Sequence, residues 1–169
     1  AVSAHWFLRT GHAERELSTM EMKRVKNKKD AREFAEGVIN DPVLEVQWAE
    51  TAFKHAETYF KLLQIVPDVA TMRLTRYDDA IYTAFRELFP DLNVALLDED
   101  VIKSKESKEA WRPFLMQWEG KVEDFNFGTL LRLDAEKEYG PENSCIVPRV
   151  QFYCVELARN REGCQYKPS

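Results

Sequence analysis

Asp41-Pro-Val-Leu-Glu-Val-Gln-Trp-Ala-Glu-Thr-Ala-Phe-Lys-His-Ala-Glu-Thr-Tyr-Phe-Lys-Leu-Leu63 sets the class of the fold. Leu44, Trp48, Ala52, Ala56, Tyr59 and Leu63 recur at steps of three and four, and Ala49, Phe53 and Phe60 widen the stripe. That period puts them on one face of a long helix, which has to be buried. Asp41 can cap its start, and Pro42 suits the first helical position, where a missing N–H is harmless. On the opposite face Glu50 precedes Lys54 and Glu57 precedes Lys61 at the spacing and in the order that favour surface ion pairs. Pro67 closes the element.

Downstream, Thr75-Arg-Tyr-Asp78 has the Thr-x-x-Asp form of a capping box, with Tyr77, Ile81, Ala84, Phe85 and Leu88 as the apolar stripe behind it and Pro90 as its end. Asp98 to Asp100 reads as an acidic link. Trp111, Phe114, Leu115, Trp118, Val122 and Phe125 then keep helical register; this helix begins either near Arg112, or at Ser104 or Ser107 with a kink at Pro113. Residues 126 to 140 carry both signals. Leu131 and Leu133 alternate with Arg132 and Asp134 as in a strand, and Leu-Asp-Ala-Glu-Lys-Glu favours helix; the expectation is an extended segment. Pro141 to Gly163 reads as the last core helix, with Val147, Val150, Cys154, Leu157 and Ala158 on its apolar side and Gly163 as its stop. Upstream, residues 12 to 38 form a polar helical pattern whose weak stripe, Leu17, Met20, Val25 and Phe34, suits a docked arm. The expected fold is mainly α: a compact multi-helix domain over 41–163, with a short extended or hairpin segment around 127–134, an N-terminal arm over 1–40 and a tail over 164–169.

The 169 residues suffice for one domain with its own core; 44% are hydrophobic, 31% are charged, and the formal net charge is −5. A global excess of acid argues against direct nucleic-acid binding, and the basic run Lys23 to Lys29, flanked by Glu21 and Asp30, reads as a solvated helix face. No apolar run is long enough to span a membrane, and Ala1 to Leu8 is too short an apolar patch for a secretory signal. Three Cys without CxxC spacing suggest free thiols in a reducing compartment. If Cys145 and Cys154 share one helix they face opposite sides.

Reaction motifs are scarce. His5, His12 and His55 have no zinc spacing, no Cys has an evident His partner, and the six glycines make no phosphate loop. No metal, cofactor or catalytic residue is therefore assigned. Asp78 and Asp79 read as a cap and a helix-dipole partner, and His55 as a hydrogen-bonded core histidine. Arg149, Glu156 and Asn160 share a stripe on the last helix, with Arg159 alongside. They make either an intrahelical ion-pair lattice or, together with Asn126, Arg132 and Asp134, a recognition surface. Phe125 and Phe127 beside them, and Phe152 and Tyr153 on the helix, suit a protein interface.

Trp48-Ala49, His55-Ala-Glu57-x-Tyr59-x-Lys61-Leu62, Leu74-Thr-x-x-Asp78-Asp-x-Ile81-Tyr82, Trp111-Arg-Pro-Phe114, Val122-Glu-Asp-Phe-Asn-Phe-Gly-Thr-Leu-Leu-Arg-Leu-Asp134 and Arg149-x-Gln-Phe152 with Glu156-x-Ala-Arg-Asn-Arg-Glu-Gly163 stand in order along the chain. This set resembles the small eukaryotic polysaccharide-biosynthesis-domain-containing protein family over residues 43 to 163. The resemblance implies a compact helical protein of the cytoplasm, or of cytoplasm and nucleus, linked to chaperoning the nascent translation elongation-factor GTPase at the ribosome. It supplies no catalytic residues.

Two functions follow as expectations. One is a non-catalytic binding factor whose client is that nascent GTPase, with the ribosome as a second partner and Trp111, Arg112, Phe125, Asn126, Phe127, Arg132, Asp134, Arg149, Glu156, Arg159 and Asn160 as its contact surface. The alternative is a carbohydrate-modifying enzyme using Asp78, Asp79, Glu123, Asp124 or Asp134, or else a scaffold.

Overall fold

The computed structural model describes residues 42–167. The expected N-terminal arm, the basic run and the Asp41 cap lie outside them. Helix α1, Pro42–Ile65, runs through the opening stretch. Trp48, Ala49, Ala52, Ala56, Tyr59 and Leu63 are all buried, so the stripe read from the sequence is the packed face. Of the two ion pairs expected on the outer face, Glu57 and Lys61 form theirs at 3.1 Å. A 3-10 turn, Val69–Thr71, follows, capped by the Asp68 side chain.

Helix α2 is Asp78–Leu88. Its start carries the expected box: the Asp78 carboxylate accepts from the amides of Leu74 (2.8 Å) and Thr75 (2.7 Å), and Thr75 Oγ1 accepts from the Tyr77 amide (2.9 Å). The acidic link is itself a short helix, α3, Glu99–Lys103, because the Asp98 side chain accepts from the Asp100 and Val101 amides. Helix α4, Lys105–Met116, begins at the earlier of the two starts, capped by Ser104, and keeps Pro113 inside it. It stops sooner than the periodicity implied. Trp118 and Val122 stay buried because 3-10-like turns replace the helix, with Lys121 N donating to Trp118 O at 3.1 Å. Gly120 among them has φ +75°, a left-handed conformation that no helix continues through.

Strand β1, Gly128–Arg132, pairs antiparallel with β2, Ser144–Pro148, with Leu130 opposite Ile146 and Leu131 opposite Cys145. The extended segment expected near 127–134 is thus one arm of a hairpin. Its other arm corrects the helix expected from Pro141. Cys145-Ile-Val147 is a short apolar run that periodicity cannot assign, but proline disfavours the helical conformation in the residue before it, so Val147 ahead of Pro148 is extended. Helix α5, Arg149–Glu162, starts directly after Pro148 and ends at Gly163 with φ 76°, the expected stop.

Among the described residues the architecture is a mainly helical domain with one two-stranded hairpin. The hairpin lies between two apolar clusters. Leu130 and Ile146 face the α1 residues Trp48, Ala49, Ala52 and Ala56, while Leu131, Cys145 and Val147 join the main core with α2, α4 and α5. Three alanines on α1 let the hairpin backbone approach closely enough for Trp48 Nε1 to donate to Gly128 O at 3.1 Å. Helix α5 is buried on nearly all sides. Cys145 and Cys154 are buried and form no disulfide, and they stand on a strand and a helix, so they do not share one helix.

Candidate functional site

Two groupings of polar residues stand out. The first is internal. Arg132 at the end of β1, and Glu156 and Arg159 on α5, have side chains with 0% exposure. Arg159 donates to Glu156 Oε1 (2.7 Å) and to the carbonyls of Val94 (2.6 Å), Arg132 (2.8 Å) and Leu133 (3.0 Å). Arg132 stands 3.5 Å from Glu156 Oε2 and donates to the carbonyls of Ala135 (2.9 Å) and Lys137 (3.1 Å) and to Gln165 Oε1. Glu156 Oε2 also accepts from the Tyr59 hydroxyl (2.8 Å) and from Gln165 Nε2 (2.6 Å), and Gln165 Nε2 reaches Asn160 Oδ1 at 2.9 Å.

Burial pushes the Glu156 carboxyl towards the neutral form, but the charges of Arg159 and Arg132 and the bonds from Tyr59 and Gln165 outweigh it, and its pKa lies below the ordinary value. The Tyr59 hydroxyl is pushed well up, first by burial and then by the Glu156 charge beside it, so it stays a donor. Two guanidiniums against one carboxylate leave a net positive charge inside the domain. Backbone carbonyl dipoles answer it, together with the Phe60 and Tyr139 rings, whose centroids lie 5.4 and 5.6 Å from the Arg132 guanidinium carbon. Only Arg132 Nε in this group has no hydrogen-bond partner.

The contact surface expected from the sequence therefore divides. Arg132, Glu156, Arg159 and Asn160 do come together, but inside the domain. Trp111 is buried too, stacked on Phe89 at 4.5 Å and Phe85 at 5.7 Å, and Asn126 is buried. Those six do not form an outer surface. For Glu156, Arg159 and Asn160 the physical reason is that α5 is a central helix, so the side opposite its apolar stripe meets Tyr59 and Gln165 instead of water. Arg112 is exposed; Phe125, Phe127, Asp134 and Arg149 are half-buried. Arg149 sits over the Phe127 ring, 5.1 Å from its centroid, and donates to Thr129 Oγ1 at 3.3 Å. Asp134 pairs with Lys137 at 3.0 Å. Arg149 and Asp134 are thus outside the internal network.

The second grouping is an open groove of about 580 Å³ between α1 and α5. Helix α1 contributes Lys54, His55 and Leu62 to it, the segment before α2 contributes Arg73 and Leu74, and α5 contributes Phe152 and Tyr153. His55 is not the hydrogen-bonded core histidine expected. Its ring stands edge-on to Phe152 at 5.2 Å, and Nδ1 is buried without a partner, an omission that costs about 1–3 kcal/mol. Burial, and then the Arg149 charge, bring its pKa down to about 4, so the ring is neutral at pH 7. None of Asp78, Asp79, Glu123, Asp124 or Asp134 lines the groove. Asp78 is consumed by its cap, and Asp79 pairs with Arg161 at 2.7 Å.

Sequence reasoning passed over Tyr59 and Gln165 in the network, and Lys54 and Arg73 in the groove. Tyr59 offered a signal: a tyrosine in a buried stripe needs a partner for its hydroxyl. Gln165, beyond the helix stop, offered none.

Comparison with other proteins places both groupings in a family. Residues 44–168 match the family model described as PBDC1 protein. The chain belongs to the PBDC1 family. Protein PBDC1 of Mus musculus is 52% identical over 124 residues, which are 73% of this chain and 62% of the mouse protein. Protein PBDC1 of Homo sapiens is 50% identical over 129 residues, 76% of this chain and 55% of the human one. The chain thus spans less than two thirds of the length of these two relatives. The PBDC1 homolog of Saccharomyces cerevisiae is 48% identical over 133 residues and is covered over 90% of its length. A solution NMR structure of a Saccharomyces cerevisiae protein matches with a TM-score of 0.67 and 44% identity, covering 78% of this chain and 94% of that one. The PBDC1 match runs from before Lys54 to beyond Gln165, so the network and the groove both lie within it.

Proposed function

We propose that this PBDC1-family chain is a non-catalytic protein-binding factor, a chaperone for a nascent translation elongation-factor GTPase, with the ribosome as a second partner and the cytoplasm, or cytoplasm and nucleus, as its location. The observation that carries the reading is the division of polar residues just described. Arg132, Glu156 and Arg159 of the signature segments are closed on one another inside the domain, and the open groove offers aromatic and aliphatic surface edged by cations. Such a surface suits a segment of polypeptide. Hydrolysis of a glycoside requires two carboxyl groups across a cleft, about 5 to 10 Å apart, and the groove wall holds no carboxylate. The client itself is suggested by the resemblance of the signature segments.

The test is affinity capture of the tagged full chain from actively translating cells, with and without ribosome stabilisation, followed by mass spectrometry. Enrichment of ribosomes and the nascent elongation factor is expected. Recovery of sugar-modifying enzymes in their place, or failure of the purified chain to reduce aggregation of newly made elongation factor, would sink the reading.

A further inference from the structure

We propose that the groove between α1 and α5 holds an extended acidic segment of a protein partner, its carboxylates paired with Lys54 and Arg73 and an apolar side chain seated on Leu62, Leu74 and Phe152. This deepens the protein-binding reading above and rests on it.

The charge argument begins on α1. Lys61 pairs with Glu57 one turn before it, yet Lys54, with Glu50 in the same favourable position, forms no ion pair among the described residues. Arg73 is likewise exposed and without an acidic partner among the described residues; Arg76, Arg112 and Arg149 share that lack, but of these four arginines Arg73 alone lines the groove. Two free cations therefore edge one groove in a chain whose formal net charge is −5. Opposite charge on a partner is what such an edge selects.

The floor supplies the other half. Leu62 is 39% exposed, a large aliphatic side chain facing water, with Leu74 partly buried and Phe152 buried behind it. A groove of about 580 Å³ falls within the ~300–1,000 Å³ typical of ligand sites. The unpartnered Nδ1 of His55 belongs to this wall, a buried polar atom still short of a hydrogen bond beside the groove. A nucleic acid fits less well. Two cations neutralise too few phosphates to hold a backbone against the net charge of the molecule.

The test is fluorescence anisotropy on the full chain with three labelled probes: a seven-residue peptide alternating glutamate and leucine, its counterpart with every glutamate replaced by glutamine, and a ten-nucleotide oligouridylate. The acidic peptide should bind at least tenfold more tightly than the glutamine peptide, and more weakly as salt rises from low to physiological strength. Lys54→Ala with Arg73→Ala should lose about tenfold in affinity, and Leu62→Ser should weaken binding without altering the salt slope. These side chains are exposed, so circular dichroism should show all variants folded. Equal binding of the two peptides, wild-type affinity in the double variant, preference for the oligouridylate, or self-association that depends on Lys54 and Arg73 would each overturn the proposal. Capture of the nascent elongation factor is read separately on the same variants. Capture unchanged by the double variant removes the groove as the docking site and leaves the chaperone reading standing. Charge-dependent peptide binding without any capture keeps the groove and removes that client.

Discussion

Arg159 shows what one residue contributes here. Its guanidinium joins the Glu156 carboxylate to three backbone carbonyls, one at Val94 and two at the end of β1, Arg132 and Leu133. Replacing one partner of a buried pair leaves the rest charged and unmet, at about 3–5 kcal/mol. Arg159→Ala should therefore lower the denaturation midpoint strongly, and an unchanged midpoint in urea would show that the network carries little stability. His55 gives a pH signature. Its folded pKa, lowered to about 4, lies below the unfolded value of about 6.5, so between those values the unfolded chain binds the extra proton. Stability should be full above pH 6.5 and fall as the pH drops towards 4. His55→Gln should flatten that window in a series of melting curves, and a wild-type slope in the variant would count against the assignment. At this scale helical spacing made the grouping of Glu156, Arg159 and Asn160 legible, and Arg132 was joined to it from the segment before. It did not reveal which way they face, because a polar stripe turned to solvent and one turned to a second buried layer share the same period.

At the level of elements, α1 was readable to its end, and so were the Thr75–Asp78 box and the Gly163 stop, because each rests on strictly local rules. The second arm of the hairpin was missed for a physical reason: three buried apolar residues look alike in a strand and in a helix, and only Pro148 carried the distinction. The acidic residues after Leu97 were read by their charge, when the side chain of Asp98 acts as a cap. The contact between α1 and the hairpin depends on small residues. Ala52 is 1% exposed against Leu130 and Ile146. Ala52→Leu should force the hairpin away and cost about 1–3 kcal/mol. Hydrogen exchange should report it as faster exchange of the Leu131 and Cys145 amides, which lie between the strands, while Ala52→Gly should not produce the same displacement.

Over the whole molecule, the internal network ties together α1, the segment around Val94, the hairpin, α5 and the residues after Gly163. The boundary drawn at Gly163 followed from the helix stop, which says where a helix ends and nothing about where packing ends. Gln165 is buried, and the Tyr166 ring lies 4.8 Å from that of Phe60. Gln165→Ala removes hydrogen bonds to Glu156 and Arg132, and bonds to charged groups contribute about 1.5–3 kcal/mol each. The expected result is a loss of that order in chemical denaturation, with earlier proteolysis after Gly163; full stability in the variant would return these residues to the status of a tail.

The hydrogen bond from Tyr59 to Glu156 spans 97 positions, and Gln165 lies nine further on. During synthesis the Tyr59 hydroxyl therefore leaves the ribosome long before any of its partners exists. Helix α1 and the α2 cap form from local signals as they emerge, but the buried charges have no counterparts until residue 165 has cleared the exit tunnel. Vectorial folding of this domain is thus held open from Tyr59 onwards, and closure of its interior waits for the segment that carries Gln165.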